Sequence, residues 1–348
     1  MKILILGGGV FLGAAVLRAA LDRGHELTVF NRGRACSVWP DGVEAIVGDR
    51  SSELDRLAGK RFDAVVDTCG YAPADVKKSA EALRDSKSYC FVSSISAYAS
   101  FVHAPMRETN PLADFSRVDP ADRDLAHYGP QKAACEAQVR AVFGERALIV
   151  RPGLIVGPGD RSGRFSYWPW RAMEGGEMLV PDLGDDEPLQ FIDVGDLGAW
   201  IVRLLEREER GAFNATGPAN GPPCSWADLV AACQDEAAQR GAPELQVTPV
   251  AESFLLEHGV VPWSELPLWL PSTDAENHAH SRVEIERAER TRLTTRPLEQ
   301  TVAAVMDEGV PAEDDPRRKG KLTRAREAEL LALWHAREGA DAAAAAAP

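Results

Sequence analysis

MKILILGGGVFLG, residues 1–13, runs four apolar side chains (Ile3, Leu4, Ile5 and Leu6) straight into a glycine cluster. A run that is apolar on both faces suits a central strand of a parallel sheet covered by helices on each side. Glycines at the end of such a strand allow a tight turn and bring bare backbone N–H groups against a phosphate. The helix expected over Phe11 to Arg23 aims the positive end of its dipole at the same anion. A second strand is expected at Glu26–Phe30. Strand, glycine turn, helix and strand in that order make a dinucleotide-binding unit the reading of this segment. Read as G-x-x-G-x-x-G from Gly7, the middle glycine falls on Val10 and the last on Gly13. Gly8 and Gly9 flank the gap, so the cradle is shifted rather than lost.

The second strand ends in Asn31-Arg32-Gly33-Arg34. An acidic residue about twenty positions past the glycines binds the 2′-hydroxyl of NAD, whereas an arginine nearby accommodates the 2′-phosphate of NADP. Asn31 with Arg32 and Arg34 therefore favours NADP(H), and NAD(H) stays compatible. Further strands are expected at Val43–Val47, Phe62–Val66 and Tyr89–Ser93, and a helix over Asp75–Arg84. Asp49 is placed to hold an adenine amino group or to form a turn. Cys69 and Tyr71 follow the fourth strand on the side where ligands of such sheets sit. The alternation points to an α/β, Rossmann-type, doubly wound parallel sheet.

Two pieces carry chemistry. Ser93-Ser94-Ile95-Ser96-Ala97-Tyr98 follows the fifth strand, and Tyr128-Gly129-Pro130-Gln131-Lys132 opens a helix expected to reach Phe143. Tyr128 and Lys132, at i and i+4, share one helix face. An ammonium beside a phenol favours phenolate and draws its pKa down from about 10. With a serine hydroxyl to hold the substrate oxygen, the three form a proton relay suited to hydride transfer at a carbinol or carbonyl carbon.

GGGVFLG, SSISAY, YGPQK and RPGLIVGP (151–158), followed by FIDVGDLGAWIV (191–202) and residues 281–306, resemble the extended short-chain dehydrogenase/reductases. Sugar-nucleotide epimerases and dehydratases are among that family, and the likeness covers about residues 1–310. It implies Tyr128 as general acid/base, Lys132 as its modulator and a ribose ligand, and Ser94 as the hydroxyl partner, with Ser96 in its place if the register slips. It implies that Gly7, Gly9 and Gly13, with Val10, Phe11 and Leu12 between them, hold the pyrophosphate, and that Pro152 lines the cofactor site. Val10 and Asn31-Arg32 depart from the common pattern. They are similar to a branch with a GGTxFLG-like start that includes plant chloroplast RNA-binding members. The implied activities are epimerisation or dehydration of a sugar nucleotide or related small molecule, net NADPH-dependent carbonyl reduction, and, in another class, nucleotide or RNA binding without catalysis. A homodimer is implied by the resemblance alone.

Composition narrows these readings. The 348 residues are 45% hydrophobic and 26% charged, with a formal net charge of −14. That charge opposes a nucleic-acid backbone, which is bound by clustered Lys and Arg. Six scattered cysteines show neither disulfide nor metal spacing and suit a reducing compartment. With no apolar run of membrane-spanning length and no targeting segment, a cytoplasmic chain is expected.

The cofactor domain is expected over 1–158, completed by about 190–216, and a mostly helical substrate lobe over 159–189 and 217–310. Arg164, Tyr167 and Trp168 belong to a segment of arginines and aromatics that suits a phosphate-bearing or aromatic substrate, or forms an aromatic packing cluster. The Trp-bearing stretch 254–271 is a pocket wall or lobe core, and His258 is structural. A charged, mostly exposed helix over Lys321–Arg337 and a frayed alanine-rich tail are expected at 311–348.

Overall fold

The computed structural model describes residues 1–34, 36, 38–122, 124, 127–184 and 187–345. The chain divides into two units, one of residues 1–155, 190–222 and 276–296, the other of residues 156–189, 223–275 and 297–348.

The first unit is built on a seven-stranded sheet. Its strands are β1 (Lys2–Leu6), β2 (Glu26–Asn31), β3 (Val43–Val47), β4 (Ala64–Asp67), β5 (Ser88–Val92), β6 (Ala147–Pro152) and β7 (Gly211–Ala215). All neighbours run parallel in the order β7-β6-β5-β4-β1-β2-β3. The helices flanking it include α1 (Phe11–Asp22), α2 (Pro73–Ala82), α3 (Tyr128–Phe143) and α4 (Val194–Glu206).

The apolar run of β1 is explained by this sandwich. Ile3 and Ile5 point into one core with Val16 and Leu17 of α1 and Leu197 and Trp200 of α4. Leu4 and Leu6 point into the other with Val76 and Ala80 of α2 and Val139 of α3. All four are fully buried, each contributing roughly 1.5–3 kcal/mol of hydrophobic stabilisation. From β1 the chain winds outward to β2 and β3, then returns to β4 on the other side and continues to β7. The strand order therefore reverses between β1 and β4, and the loops leaving those two strands open a crevice at their carboxyl ends. The Asp193 side chain caps α4 by accepting from the Gly195 N–H at 2.7 Å.

Residues 276–296, which the sequence pattern assigns to the smaller lobe, belong to the first unit. Ile285, Ala288 and Leu293 complete the core beside α1 and α4, and Ala279 and Val283 pack with Ile95, Tyr98 and Met106. The second unit contains helices Tyr167–Met173, Trp226–Gln239 and Leu298–Asp307 and a parallel strand pair, Gly176–Asp182 with Leu245–Ala251. The chain's end is helical as well. Its helix runs from Arg324 to Ala345, through the alanine-rich stretch, and residues 346–348 lie outside the described residues. Most of its described side chains are exposed, while Glu327, Leu330 and Leu331 are buried. The Glu327 carboxylate accepts from Arg171 Nε at 2.8 Å and from the Leu179 N–H at 3.0 Å. A charged helix sequence had hidden a buried ion pair.

Candidate active site

The glycine loop follows from contacts that a side chain would obstruct. Gly7 has φ +109°, and a Cβ there would lie 2.5 Å from Thr68 Oγ1 in the loop after β4. A Cβ on Gly13 would lie 2.7 Å from the Gly8 nitrogen, so only glycine lets α1 start against the loop. The departure at Val10 has a simple physical reason. Its backbone is extended, φ −149° and ψ 154°, which a β-branched residue adopts readily, and the left-handed position falls on Phe11 instead, φ 45°. No side chain caps the N-terminus of α1 and no acidic residue occupies its first turn. The donors and the positive dipole end there are suited to an anion.

Asn31 braces this loop. Its Nδ2 donates to the Gly7 carbonyl and its Oδ1 accepts from the Gly33 N–H, both at 2.8 Å. Arg32 and Arg34 flank that turn and are exposed, with no hydrogen bond or ion pair to another described residue. Asp49 accepts from the N–H and the hydroxyl of Ser51 at 2.8 and 2.7 Å, as a turn-forming aspartate does. Its neighbour Arg50, unremarked in the sequence, makes the buried contact. Arg50 donates through both terminal nitrogens to Asp67 at the end of β4, at 2.7 and 2.8 Å, and Tyr89 donates to the same carboxylate at 2.8 Å. Burial alone would raise the Asp67 pKa, but the Arg50 charge and these hydrogen bonds hold it below the ordinary carboxylate value. Cys69 lies beside Gly7 and the Arg50 guanidinium, and burial pushes its thiol pKa up.

At the ends of β5 and β6 the remaining residues gather. Ser94 is nearly buried, and its Oγ accepts from the Ser96 N–H at 3.1 Å, capping a short turn of helix over Ile95–Ala97. Lys132 is buried, donating to the Gly70 carbonyl at 2.9 Å and the Val92 carbonyl at 2.8 Å. Its ammonium lies 4.7, 5.0 and 5.8 Å from the ring centroids of Phe91, Tyr71 and Tyr128. Burial lowers its pKa from the usual lysine value. Pro152 ends β6 beside Ala215 of β7.

Two features here were missed from the sequence. Gly129, between Tyr128 and Pro130, has no room for a side chain, since a Cβ would fall 2.3 Å from the Ser96 carbonyl oxygen. The first turn of α3 therefore rests directly on the backbone of the Ser94–Ser96 segment. The other is Glu136, fully buried four residues after Lys132. Its carboxylate accepts from Ser93 Oγ at 2.6 Å and from Arg151 Nε and Nη2 at 2.9 and 2.7 Å. A glutamate continuing the Tyr128–Lys132 face at helical spacing was the available signal.

Arg164, Tyr167 and Trp168 lie in the second unit. Arg164 Nε donates to Ser162 Oγ at 3.1 Å. Tyr167 and Trp168 are buried, with Trp168 edge-on to Tyr167 and to Trp226 at 4.9 and 5.0 Å. The Trp168 indole donates to the Pro267 carbonyl at 3.0 Å. The aromatics are packed among themselves. Leu266 and Trp269 of the 254–271 stretch are fully buried, and His258 stacks on Phe254 at 3.9 Å. Among the described residues no cluster of His, Cys, Asp or Glu has the makings of a metal site, and no helix is long and apolar enough to cross a membrane.

Comparison with known proteins adds to this geometry. The model of the NAD dependent epimerase/dehydratase family matches residues 3–215. The chain is 28% identical over 240 residues to 2′-dehydrokanamycin reductase of Streptomyces kanamyceticus, covering 66% of this chain and 64% of that protein. It is 30% identical over 246 residues to 2-alkyl-3-oxoalkanoate reductase of Stenotrophomonas maltophilia, covering 66% of this chain and 74% of the relative. The match thus spans less than two thirds of the kanamycin-series reductase. The crystal structure of the Bordetella bronchiseptica enzyme WbmH in complex with NAD+ superposes with a TM-score of 0.63 at 16% identity, covering 89% of this chain and 99% of that one. At that identity the likeness is one of fold.

Proposed function

The chain belongs to the NAD dependent epimerase/dehydratase family, and from that premise we propose that it is an NADP(H)-dependent enzyme acting by hydride transfer at a carbonyl or carbinol carbon of a small molecule. The observation that carries this reading is the meeting of Tyr128, Lys132 and the Ser94 turn at the strand ends, next to a glycine loop shaped for a phosphate.

The residues fit a dinucleotide. Gly7, Gly8 and Gly13 keep side chains out of the loop, and the uncapped start of α1, from Val10 through Phe11 and Leu12, supplies donors to a pyrophosphate. Arg32 and Arg34 stand ready for a 2′-phosphate, favouring NADP(H) over NAD(H). When bound, the nicotinamide supplies or takes up the hydride.

The chain's own groups manage the proton. Ser94 Oγ uses one lone pair on the Ser96 N–H, so its own O–H is available to donate to the substrate oxygen. Tyr128 passes a proton to that oxygen in reduction and takes it back in oxidation. Lys132 spends two of its three N–H donors on the Gly70 and Val92 carbonyls, which fixes the ammonium between β4 and β5 on the Tyr128 face of α3. The cation there stabilises the phenolate as it forms.

Net reduction is favoured by the exposed arginines Arg32 and Arg34 and by the names of the two relatives. A redox-neutral epimerase or dehydratase of nucleotide sugars is the second reading, favoured by neighbours such as the UDP-N-acetylglucosamine 4-epimerase of Bacillus cereus, whose fold is shared at a TM-score of 0.61. Identifying the nucleotide released from the denatured protein separates them. Stoichiometric NAD+ supports the redox-neutral reading; an empty protein that binds NADPH more tightly than NADH supports the reductase. Tyr128→Phe should abolish turnover and leave cofactor affinity unchanged, and full activity in that variant overturns the mechanism.

A further inference from the structure

Tyr128, Lys132 and Glu136 stand at i, i+4 and i+8 on one face of α3, yet only the first two enter the proton relay. Glu136 is fully buried and its carboxylate is shared between Ser93 and Arg151. Arg151, on β6, donates its remaining terminal nitrogen to Tyr98 Oη at 3.0 Å and the Glu108 carbonyl at 3.2 Å. Tyr98 donates in turn to Asn214 of β7 at 2.7 Å. The network therefore grips the segment 93–98 at both ends, Ser93 through Glu136 and Tyr98 through Arg151 and Asn214. Ser94 and Ser96 lie between the two grips, and the first turn of α3 rests on the Ser96 carbonyl at Gly129.

Replacing a buried ion pair by apolar residues of similar volume is often neutral or stabilising, so stability gives no reason to bury one here. A three-strand clamp does. The geometry points to Glu136 and Arg151 as positioning residues: they fix the rotation of α3 and the path of the 93–98 turn together, and so set the placement of Tyr128 relative to Ser94. The role rests on the catalytic reading of Tyr128 and Ser94, but the geometric claim stands apart from it. A misplacement of about 1 Å at reacting groups costs on the order of a hundredfold in rate.

Two variants separate positioning from folding. Ser93→Ala removes one hydrogen bond and keeps the ion pair. The double variant Glu136→Met/Arg151→Leu removes both charges and refills the space, avoiding a stranded buried ion. Each is crystallised with the wild type, titrated with NADPH and assayed with NADPH against a panel of carbonyl compounds. In the double variant Tyr128 should move from Ser94 by about 1 Å. NADPH affinity should stay within about twofold, and kcat should fall on the order of a hundredfold with KM little changed. Ser93→Ala should give the same pattern in smaller measure. A folded double variant with unchanged Tyr128–Ser94 geometry overturns the inference whether or not any substrate is turned over. If the double variant does not fold, unchanged geometry in Ser93→Ala overturns it equally. A wild type inert towards every carbonyl compound counts against the proposed function and leaves the crystallographic comparison to decide the positioning role.

Discussion

Gly129→Ala is the smallest change that tests how the site is assembled. Ala is a better helix former than Gly by roughly 0.5–1 kcal/mol, so propensity alone would make the variant more stable. The contact says otherwise. The new Cβ would lie 2.3 Å from the Ser96 carbonyl oxygen, whereas ordinary contact begins at 3.4 Å, so 3.4 − 2.3 = 1.1 Å must be found. The obstacle is backbone, not the far end of a flexible side chain, and the 93–98 turn is held by the Glu136 and Arg151 network. The yielding part is the first turn of α3, which carries Tyr128. Lys132, one turn further on and tied to two carbonyls, moves less. The cost in stability should be about 1–3 kcal/mol for the overpacking, partly offset by propensity. The cost in turnover should be on the order of a hundredfold, through kcat. The assay follows loss of NADPH absorbance with a carbonyl substrate, alongside a thermal melt and an NADPH titration. Wild-type kcat in Gly129→Ala would refute the argument that this contact seats Tyr128. So would a drop in NADPH affinity matching the drop in rate, because the glycine loop is untouched.

Arg32→Ala/Arg34→Ala should weaken NADPH roughly ten- to a hundredfold and leave NADH within about twofold, the loss expected for charge-assisted bonds to a phosphate; equal losses for both cofactors would reject the 2′-phosphate role. Arg50→Met strands the buried Asp67 carboxylate, and urea denaturation at neutral pH should show a loss of about 3–5 kcal/mol. Because Asp67 has a folded pKa below its ordinary 3.8, its contribution is complete above that value and is lost as pH falls through the folded pKa. Wild type and Arg50→Met should therefore converge in stability on acidification, and a constant gap would contradict the pairing. Glu327→Ala leaves Arg171 buried without its carboxylate and should destabilise the second unit by about 3–5 kcal/mol, read as a lowered melting transition; an unchanged melt would show the end helix to be only loosely docked.

The sequence by itself determined the kind of fold and the identity of the residues with chemistry to offer. Ile3–Leu6 suited a strand covered on both faces, and Gly7 to Gly13 suited a tight turn from it into a helix, as the structure has them. The i, i+4 spacing fixed Tyr128 and Lys132 on one face, because helical geometry is local. What the tertiary structure decided depends on which distant atoms meet. The place of β4 beside β1, and hence the crevice, follows from a return crossing that local pattern does not encode. Val10 stood where the fingerprint has a glycine, and only its extended backbone gave the physical reason that none is needed there. Asp49 accepts from Ser51 in a local turn, while its neighbour Arg50, unmarked by any pattern, reaches the buried Asp67. Tyr167 and Trp168 had the composition of a ligand surface and pack into a core, since aromatic rings serve either purpose and only burial chooses between them. Glu327 lay in a stretch read as a charged exposed helix and Glu136 drew no reading, yet both are buried and each meets an arginine, 156 or 15 residues away. Spacing along the chain sets which groups share a face; long-range packing sets which of them are dry, paired and held still.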